Sequence, residues 1–184
     1  MSGQPVVCLA MVDAPPDERR ERLAALFDAH EDRLYRLARR LTGTADQARD
    51  LVQETFLKAA RSLRSVPIGL ASEEAWLVRV LVNIRRDAWR RTAVRKRAAH
   101  VLRVPIASVA TQESALIAKR AVWSALDVLP PRRRAIVIMH ELEGLSPTAI
   151  ASVLGVAVMT VRWHLSMGRR DLRRALQPFM GDRR

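Results

Sequence analysis

The run SPTAIASVLGVAVMTVRWHLSMGRR, Ser146–Arg170, constrains the fold more than any other stretch of the chain. Ser146 is a favoured N-cap because its hydroxyl can accept a hydrogen bond from an orphan amide of the first turn. Pro147 follows where a first helical residue needs no N–H. Ile150, Ala151 and Leu154 recur at helical spacing and form an apolar face. Gly155 stands where the chain must turn sharply, and a second helix is predicted from Val158, with Val161 and Leu165 inward. A small residue lets two helices cross closely, a glycine makes the turn, and β-branched Val161 seals the packing. That is the physical content of a helix-turn-helix. An ordinary helical hairpin is the plain alternative, so the rest of the chain has to decide between them.

Charge favours the DNA reader. Lys and Arg number 32 against 19 Asp and Glu, a net charge of +13. Such an excess calls for a polyanionic partner, nucleic acid first and an acidic membrane surface second. Only Lys58, Lys96 and Lys119 are lysines; the other cations are arginines, the better forks for phosphates and guanine edges. A GC-rich genome also enriches Arg and Ala, so this preference weighs less than the charge itself. With 184 residues, 49% of them hydrophobic and 4% aromatic, the chain can pack a core, and its Ala, Leu and Arg bias predicts an all-α protein.

Several classes drop out. The single Cys8 excludes an internal disulfide framework and any CxxC metal site. His30, His100, His140 and His164 show no metal-ligand spacing, and no catalytic triad, paired carboxylates or glycine-rich phosphate loop is readable. We therefore expect no catalytic residues, no metal and no cofactor. No stretch approaches the ~18 apolar residues of a membrane span. VVCLAMV near the start lacks the basic flank of a signal peptide. Residues 1–16 are expected to form a disordered arm, Met11 could be the true start, and the cytoplasm is the expected compartment.

Periodicity organises the rest. Asp17–Leu41 places Leu23, Phe27, Leu34, Leu37, Ala38 and Leu41 at steps of three and four. Gly43 ends that helix, and Thr44 with Gln47 signals a capping box. The next helix reaches about Leu63, with Ala48, Leu51, Val52, Thr55, Phe56 and Ala59 on one face. After a loop, Arg64–Ala71, Ser72 with Glu73 and Glu74 is expected to cap a third helix carrying Trp76, Leu77, Val80, Leu81 and Ile84 inward. Beyond Asn83 that helix turns basic, with Arg85, Arg86, Arg90, Arg91, Arg95, Lys96 and Arg97 opposed only by Asp87 and with Trp89 interleaved. Phosphate contact suits such a face. Residues 98–112 lose periodicity, and Pro105 marks a linker. Glu113–Leu129 is helical again, with Leu116, Ala121, Val122, Ala125, Leu126 and Leu129 inward. Pro130-Pro131 starts the helix Arg132–Leu142, which ends by Gly144. The expected layout is two small helical domains, 17–97 and 113–177, on a flexible linker, with a tail at 178–184.

Two segments carry a family resemblance. ARDLVQETF at Ala48–Phe56, with AWLVRVLVN at Ala75–Asn83, resembles the first conserved domain of bacterial RNA polymerase sigma factors of the sigma-70 family, most closely the compact extracytoplasmic-function (ECF) type. LPPRRRAIVIMHELEGLSPTAIASVLGVAVMTVRWHL, from Leu129 to Leu165, resembles their second. The resemblance implies that the helix bearing Asp50, Leu51, Gln53, Glu54, Thr55 and Phe56 docks on a coiled coil of the polymerase's largest subunit. It implies that Arg64 and the loop after it, with Asn83, Arg85, Arg86, Arg90 and Arg91, capture the promoter −10 element. There an extruded base costs a few kcal/mol of stacking, offset by a pocket and by backbone charge. Asn83 would bond the base and the arginines would hold phosphates.

The helix from Val158 would enter the major groove at the −35 element. If Val161 and Leu165 face inward, Thr160, Arg162, Trp163, Ser166, Met167 and Arg169 face outward, with Arg162 the leading candidate for a base edge or a phosphate. Arg132, with Arg133 and Arg134, could touch the DNA backbone. The family also docks this domain on the flap of the second-largest subunit and implies an anti-sigma factor as partner. Four positions depart from its pattern. Arg49 stands where an acid is usual, Ala149 where Glu is usual, and Trp163 and Met167 where small, polar or basic residues are usual. Gly168 within the recognition helix is expected to cost ~1 kcal/mol relative to Ala. The alternative function is a helix-turn-helix regulator that works without polymerase. It would need a dimerisation surface, and no heptad seam is readable.

Overall fold

The computed structural model describes residues 15–98 and 114–180, with side chains for 15–92 and 121–177. Among them are seven α-helices and one 3-10 turn, and no strand. The chain divides into two compact units, Met1–Ile84 and Arg85–Arg184. The division therefore falls inside a helix; Pro16 and Ala98, expected in the arm 1–16 and the linker 98–112, are helical, and the remainder of the arm up to residue 14, of the linker from residue 99 and of the tail from residue 181 lies outside the described residues.

The first unit starts with α1, Pro16–Leu41, whose first turn carries Asp17 and Glu18 and whose last carries Arg39 and Arg40, each sign matching the helix dipole. Leu26, His30, Leu34, Leu37, Ala38 and Leu41 form its buried stripe. Phe27, expected inward, is 45% exposed. It falls one step off the stripe, and Leu26 takes the inward position.

Helix α2, Ala45–Arg61, opens with the anticipated reciprocal cap. Thr44 Oγ1 accepts from the Gln47 amide at 3.2 Å, and Gln47 Oε1 accepts from the Gly43 amide at 3.2 Å. Ala48, Leu51, Val52, Thr55, Phe56 and Ala59 are buried, and α2 packs on α1. Thr55 is accommodated because its hydroxyl donates back to the Leu51 carbonyl at 2.7 Å.

The expected loop begins with a 3-10 turn, Leu63–Ser65, pinned by buried Leu63 and Val66. Helix α3, Leu70–Ala98, starts earlier than anticipated. The Gly69 carbonyl accepts from the amides of Ser72 and Glu73, both at 2.9 Å, so Ser72 sits inside the first turn and is not its cap. Gly69 has φ +106°, a backbone state that L side chains rarely adopt. The buried face of α3 is Leu77, Val78, Leu81, Val82 and Ile84, whereas Trp76 and Val80, expected inward, are half-buried. Leu34, Leu37, Leu41, Leu77 and Leu81 are fully buried; each stabilises the fold by roughly 1.5–3 kcal/mol.

The second unit is arranged around α5, Pro131–Glu141. Pro131 and every residue from Arg134 to Met139 are buried, so this short helix is enclosed on all sides. It packs against α6, Pro147–Leu154, and α7, Val158–Met180; α4, Ser114–Asp127, also packs on α7. In α4 Ala121, Ala125 and Leu126 are buried, but Val122, expected inward, is 46% exposed.

The turn from α5 to α6 passes through Gly144, at φ +69°, and is clamped where His140 Nδ1–H donates to the Leu145 carbonyl at 2.8 Å. Ser146 Oγ accepts from the Ala149 amide at 3.1 Å, as its N-cap role requires. Gly155 closes α6 in the left-handed conformation, φ +64°, with its amide bonded to the Ser152 carbonyl and the Val156 amide to the Ala151 carbonyl. These two bonds are the Schellman arrangement. The bend between α6 and α7 is 112°, within the range of a helix-turn-helix.

Candidate nucleic-acid and polymerase interfaces

On α2, Asp50, Gln53 and Glu54 are exposed and make no side-chain bond among the described residues. Leu51 and Phe56 are buried, and Thr55 is fully so. These three, expected to be available to a partner, are spent on the core of the first unit. What lies beside Gln53 instead is a groove of about 950 Å³ between α1 and α2, lined by Leu23, Phe27, Tyr35, Gln53, Phe56 and Leu57. Phe27 and Phe56 meet there with ring centroids 4.8 Å apart. Phe27 and Leu57 are nearly half exposed; Phe27 was hidden from a periodicity argument that assigns every apolar residue of a stripe to the core. Arg49, at the groove's edge, is paired with Asp46 at 3.0 Å. Its reversed charge is thus locally answered, by an exposed pair of small energetic worth.

The stretch before α3 and the start of α3 itself are tied to α1 at three points. Arg22 donates to the Val66 carbonyl at 2.8 Å. Buried His30 donates from Nε2 to Glu73 at 3.1 Å, and Arg33 donates to Glu74 at 3.0 Å. The two acids expected to favour the helix dipole therefore also tie α3 to α1. Between these anchors Ile68 and Leu70 are 67% and 68% exposed, and Arg64 is exposed. Asn83 is half-buried. Arg90 and Arg91 are exposed, Arg86 is paired with Asp87 at 3.0 Å, and burial pushes the Arg85 guanidinium below its ordinary pKa. Arg85 is thus a weaker candidate for a free phosphate contact than Arg90 and Arg91. The side chains of Arg95, Lys96 and Arg97 lie outside those described.

The arginines that open α5 are largely committed within the second unit. Arg134 is buried and paired with Asp127, across the Pro130-Pro131 corner, and Arg133 is paired with Asp171 of α7. Arg132 is half-buried and lowered in pKa by burial. The first two therefore brace the domain and do not reach freely for a DNA backbone.

On α7 the outward side chains divide into two stripes. Arg162, Ser166, Arg169, Arg170 and Arg173 share a groove of about 560 Å³ with His140. Arg162 is exposed; Arg169 is bonded to Glu141 at 2.8 and 3.0 Å, which fixes α7 to the end of α5. Arg170 and Arg173 extend the set that sequence singled out, and their spacing from Arg162 and Ser166 is the signal that could have found them. Met159 and Trp163 form the second stripe, while Thr160 and Met167 are half-buried at its flank. His164 is half-buried, its Nδ1 lacks a partner, and burial, followed by Arg133 and Arg132, lowers its pKa.

Gly168 has a reason that the sequence does not show. A Cβ there would meet Val137 Cγ2 at 2.6 Å, so the glycine lets α7 approach the central helix. It is a packing requirement and says nothing about DNA readout.

Among the described residues no three His, Cys, Asp or Glu side chains are placed to hold a metal ion, and no single helix is long and apolar enough to cross a membrane. Fold and surfaces together define a helical protein whose second unit is a helix-turn-helix with a cationic outer face. The family models agree: Sigma-70 region 2 matches residues 26–95 and Sigma-70 region 4 matches residues 119–172. The ECF RNA polymerase sigma factor SigE of Mycolicibacterium smegmatis is 40% identical over 155 residues, 80% of this chain and 59% of that protein. SigL of Mycobacterium tuberculosis is 33% identical over 157 residues, 84% of this chain and 89% of that one. Of solved structures, the sigma factor RpoE in complex with the anti-sigma factor NepR from Bartonella quintana matches with a TM-score of 0.60 at 23% identity, covering 91% of this chain and 99% of that one. CnrH in complex with the cytosolic domain of CnrY matches at 0.55 and 23%, covering 86% and 90%. The chain belongs to the ECF RNA polymerase sigma factors of the sigma-70 family. It spans about 59% of the length of its SigE relative.

Proposed function

We propose that this chain binds core RNA polymerase and directs it to promoters by engaging a −10 element with the first domain and a −35 element with the second. The observation that carries the proposal is the pairing of two unlike outer faces in one chain. Asp50, Gln53 and Glu54 beside the Phe27–Leu57 groove offer polar and apolar contacts to a protein, and the Arg162–Arg173 groove offers cations to DNA. In this reading the coiled coil of the polymerase's largest subunit takes the first face. The flap of the second-largest subunit holds the second domain. Loop 64–70 and Asn83 receive an extruded −10 base, with Arg90 and Arg91 on phosphates. The protein supplies binding and strand capture, and the bond-making chemistry belongs to the polymerase.

An anti-sigma factor is the proposed regulator, since the solved RpoE neighbour was captured with one. The domain limits 17–97 and 113–177 are proposed as the units that polymerase and DNA engage. Run-off transcription with core enzyme and a genomic promoter library tests the proposal. Initiation at a discrete set of starts, absent without the protein, is expected. Failure to initiate anywhere, together with tight polymerase-independent binding to a palindrome, would instead assign the chain to free-standing regulators.

A further inference from the structure

Met159 is 68% exposed and Trp163 53% exposed. They lie four residues apart and share one face of α7. Two large apolar side chains side by side in water, on a helix otherwise rich in arginine, ask for an apolar partner on a polyanion.

Trp163 is held in place. The Arg133 guanidinium carbon lies 5.4 Å from the centroid of its ring, within cation–π range. Arg133 is itself anchored by Asp171, and the His164 ring meets Trp163 edge-on at 4.8 Å. The ring is therefore oriented before any ligand arrives, and little side-chain entropy remains to be lost on contact.

Beside this stripe runs the groove of Arg162, Ser166, Arg169, Arg170 and Arg173. A fixed apolar ring flanked by cations matches the major groove, where the one apolar group on a base edge is the C5-methyl of thymine. We infer that Trp163 reads a thymine methyl in the −35 element and that Arg133 is its positioning residue. The inference rests on the reading of α7 as the −35 helix and adds the chemistry of the base it selects.

The test uses the full chain with core RNA polymerase and a duplex promoter library randomised across the −35 segment. Selected sites carry thymine at one fixed position. Replacing that thymine by deoxyuridine, which removes only the methyl, weakens binding about fourfold, the worth of one buried carbon group. Trp163→Ala binds the two duplexes equally, and Trp163→Phe, which keeps a ring, retains most of the difference. Arg133→Gln reduces the difference, because its ring is no longer held. The inference is overturned if no selected thymine is sensitive to loss of its methyl, or if Trp163→Ala discriminates as well as the parent chain. If selection yields no −35 preference and Arg162→Ala changes nothing, the reading of α7 as a DNA helix falls, and the inference falls with it.

Discussion

Helices α2 and α7 both carry an exposed outer face, and the two faces are built in opposite ways. The outer groups of α2, Asp50, Gln53 and Glu54, make no side-chain bond among the described residues, and an open apolar groove lies beside them. Two of the outer groups of α7 are braced: Arg169 by Glu141, and Trp163 by Arg133, which Asp171 holds. The difference suits two kinds of partner. A protein surface can adjust around loose polar groups and fill a groove. A base edge has a fixed pattern, and a reader of it gains from side chains already in place.

The largest way to break this contrast is to disturb how α7 is seated. Helix propensity alone says that Gly168→Ala should stabilise by ~1 kcal/mol. The 2.6 Å approach to Val137 says the opposite. We expect Gly168→Val to destabilise the second unit by roughly 1–3 kcal/mol, the usual cost of overpacking, with partial recovery when Val137→Ala is added. Denaturant unfolding measures both. A stabilised variant would show that α7 is not tightly seated and that the bracing argument is wrong.

Next comes the free arginine of the braced face. Arg162→Ala should weaken −35-dependent initiation by about 2 kcal/mol, the scale of one good base contact, while initiation that depends on the −10 element alone persists. Equal losses on promoters with and without a −35 element would move Arg162 from base reading to general attraction. On the loose face, Asp50→Arg should weaken polymerase binding about tenfold, some 1.4 kcal/mol, with helical content unchanged. Unchanged affinity would show that the groove and not the polar row carries the docking.

The smallest effect is one of pH. Burial holds the His164 pKa below its ordinary 6.5, so the folded chain binds fewer protons than the unfolded chain just under that value. Stability of the second unit should therefore be full above about pH 6.5 and decline as pH falls through the lower folded value. His164→Gln should remove that component. Thermal unfolding at pH 7.5 and pH 5.5 compares them; a parent chain that gained stability at the lower pH would contradict the burial of a neutral ring.

Most of the elements that depend on neighbours within one turn were legible in the sequence, the cap expected at Ser72 being the exception. Thr44, Gln47, Ser146 and Gly155 do locally what their side chains and backbone freedom dictate, and the two segments that resemble the family stand on the helices expected to carry them. What escaped depends on what lies across a gap. Phe27 stands at helical spacing from Leu23 and Leu34 yet lines a groove, because Leu26 takes the inward position beside it. Arg133 and Arg134 look like free cations until Asp171 and Asp127 are brought to them from other turns of the fold. Gly168 looks like a weak helix residue until Val137 is placed against it. The candidate site follows the same rule: the exposure of Arg162 was legible from its own helix, whereas the bracing of Trp163 needed α5.

If loop 64–70 receives a −10 base as proposed, its three ties bear on how the DNA strands would separate. With Arg22 holding Val66, His30 holding Glu73 and Arg33 holding Glu74, the segment that would receive a base is a set jaw, closed at both hinges. Such a jaw does not bend to fit the duplex. Under the proposed −10 reading the duplex would fray to fit it, and the timing of opening would follow the breathing of the base pairs. A promoter with weaker stacking at that step would then fire faster with no change in any protein contact.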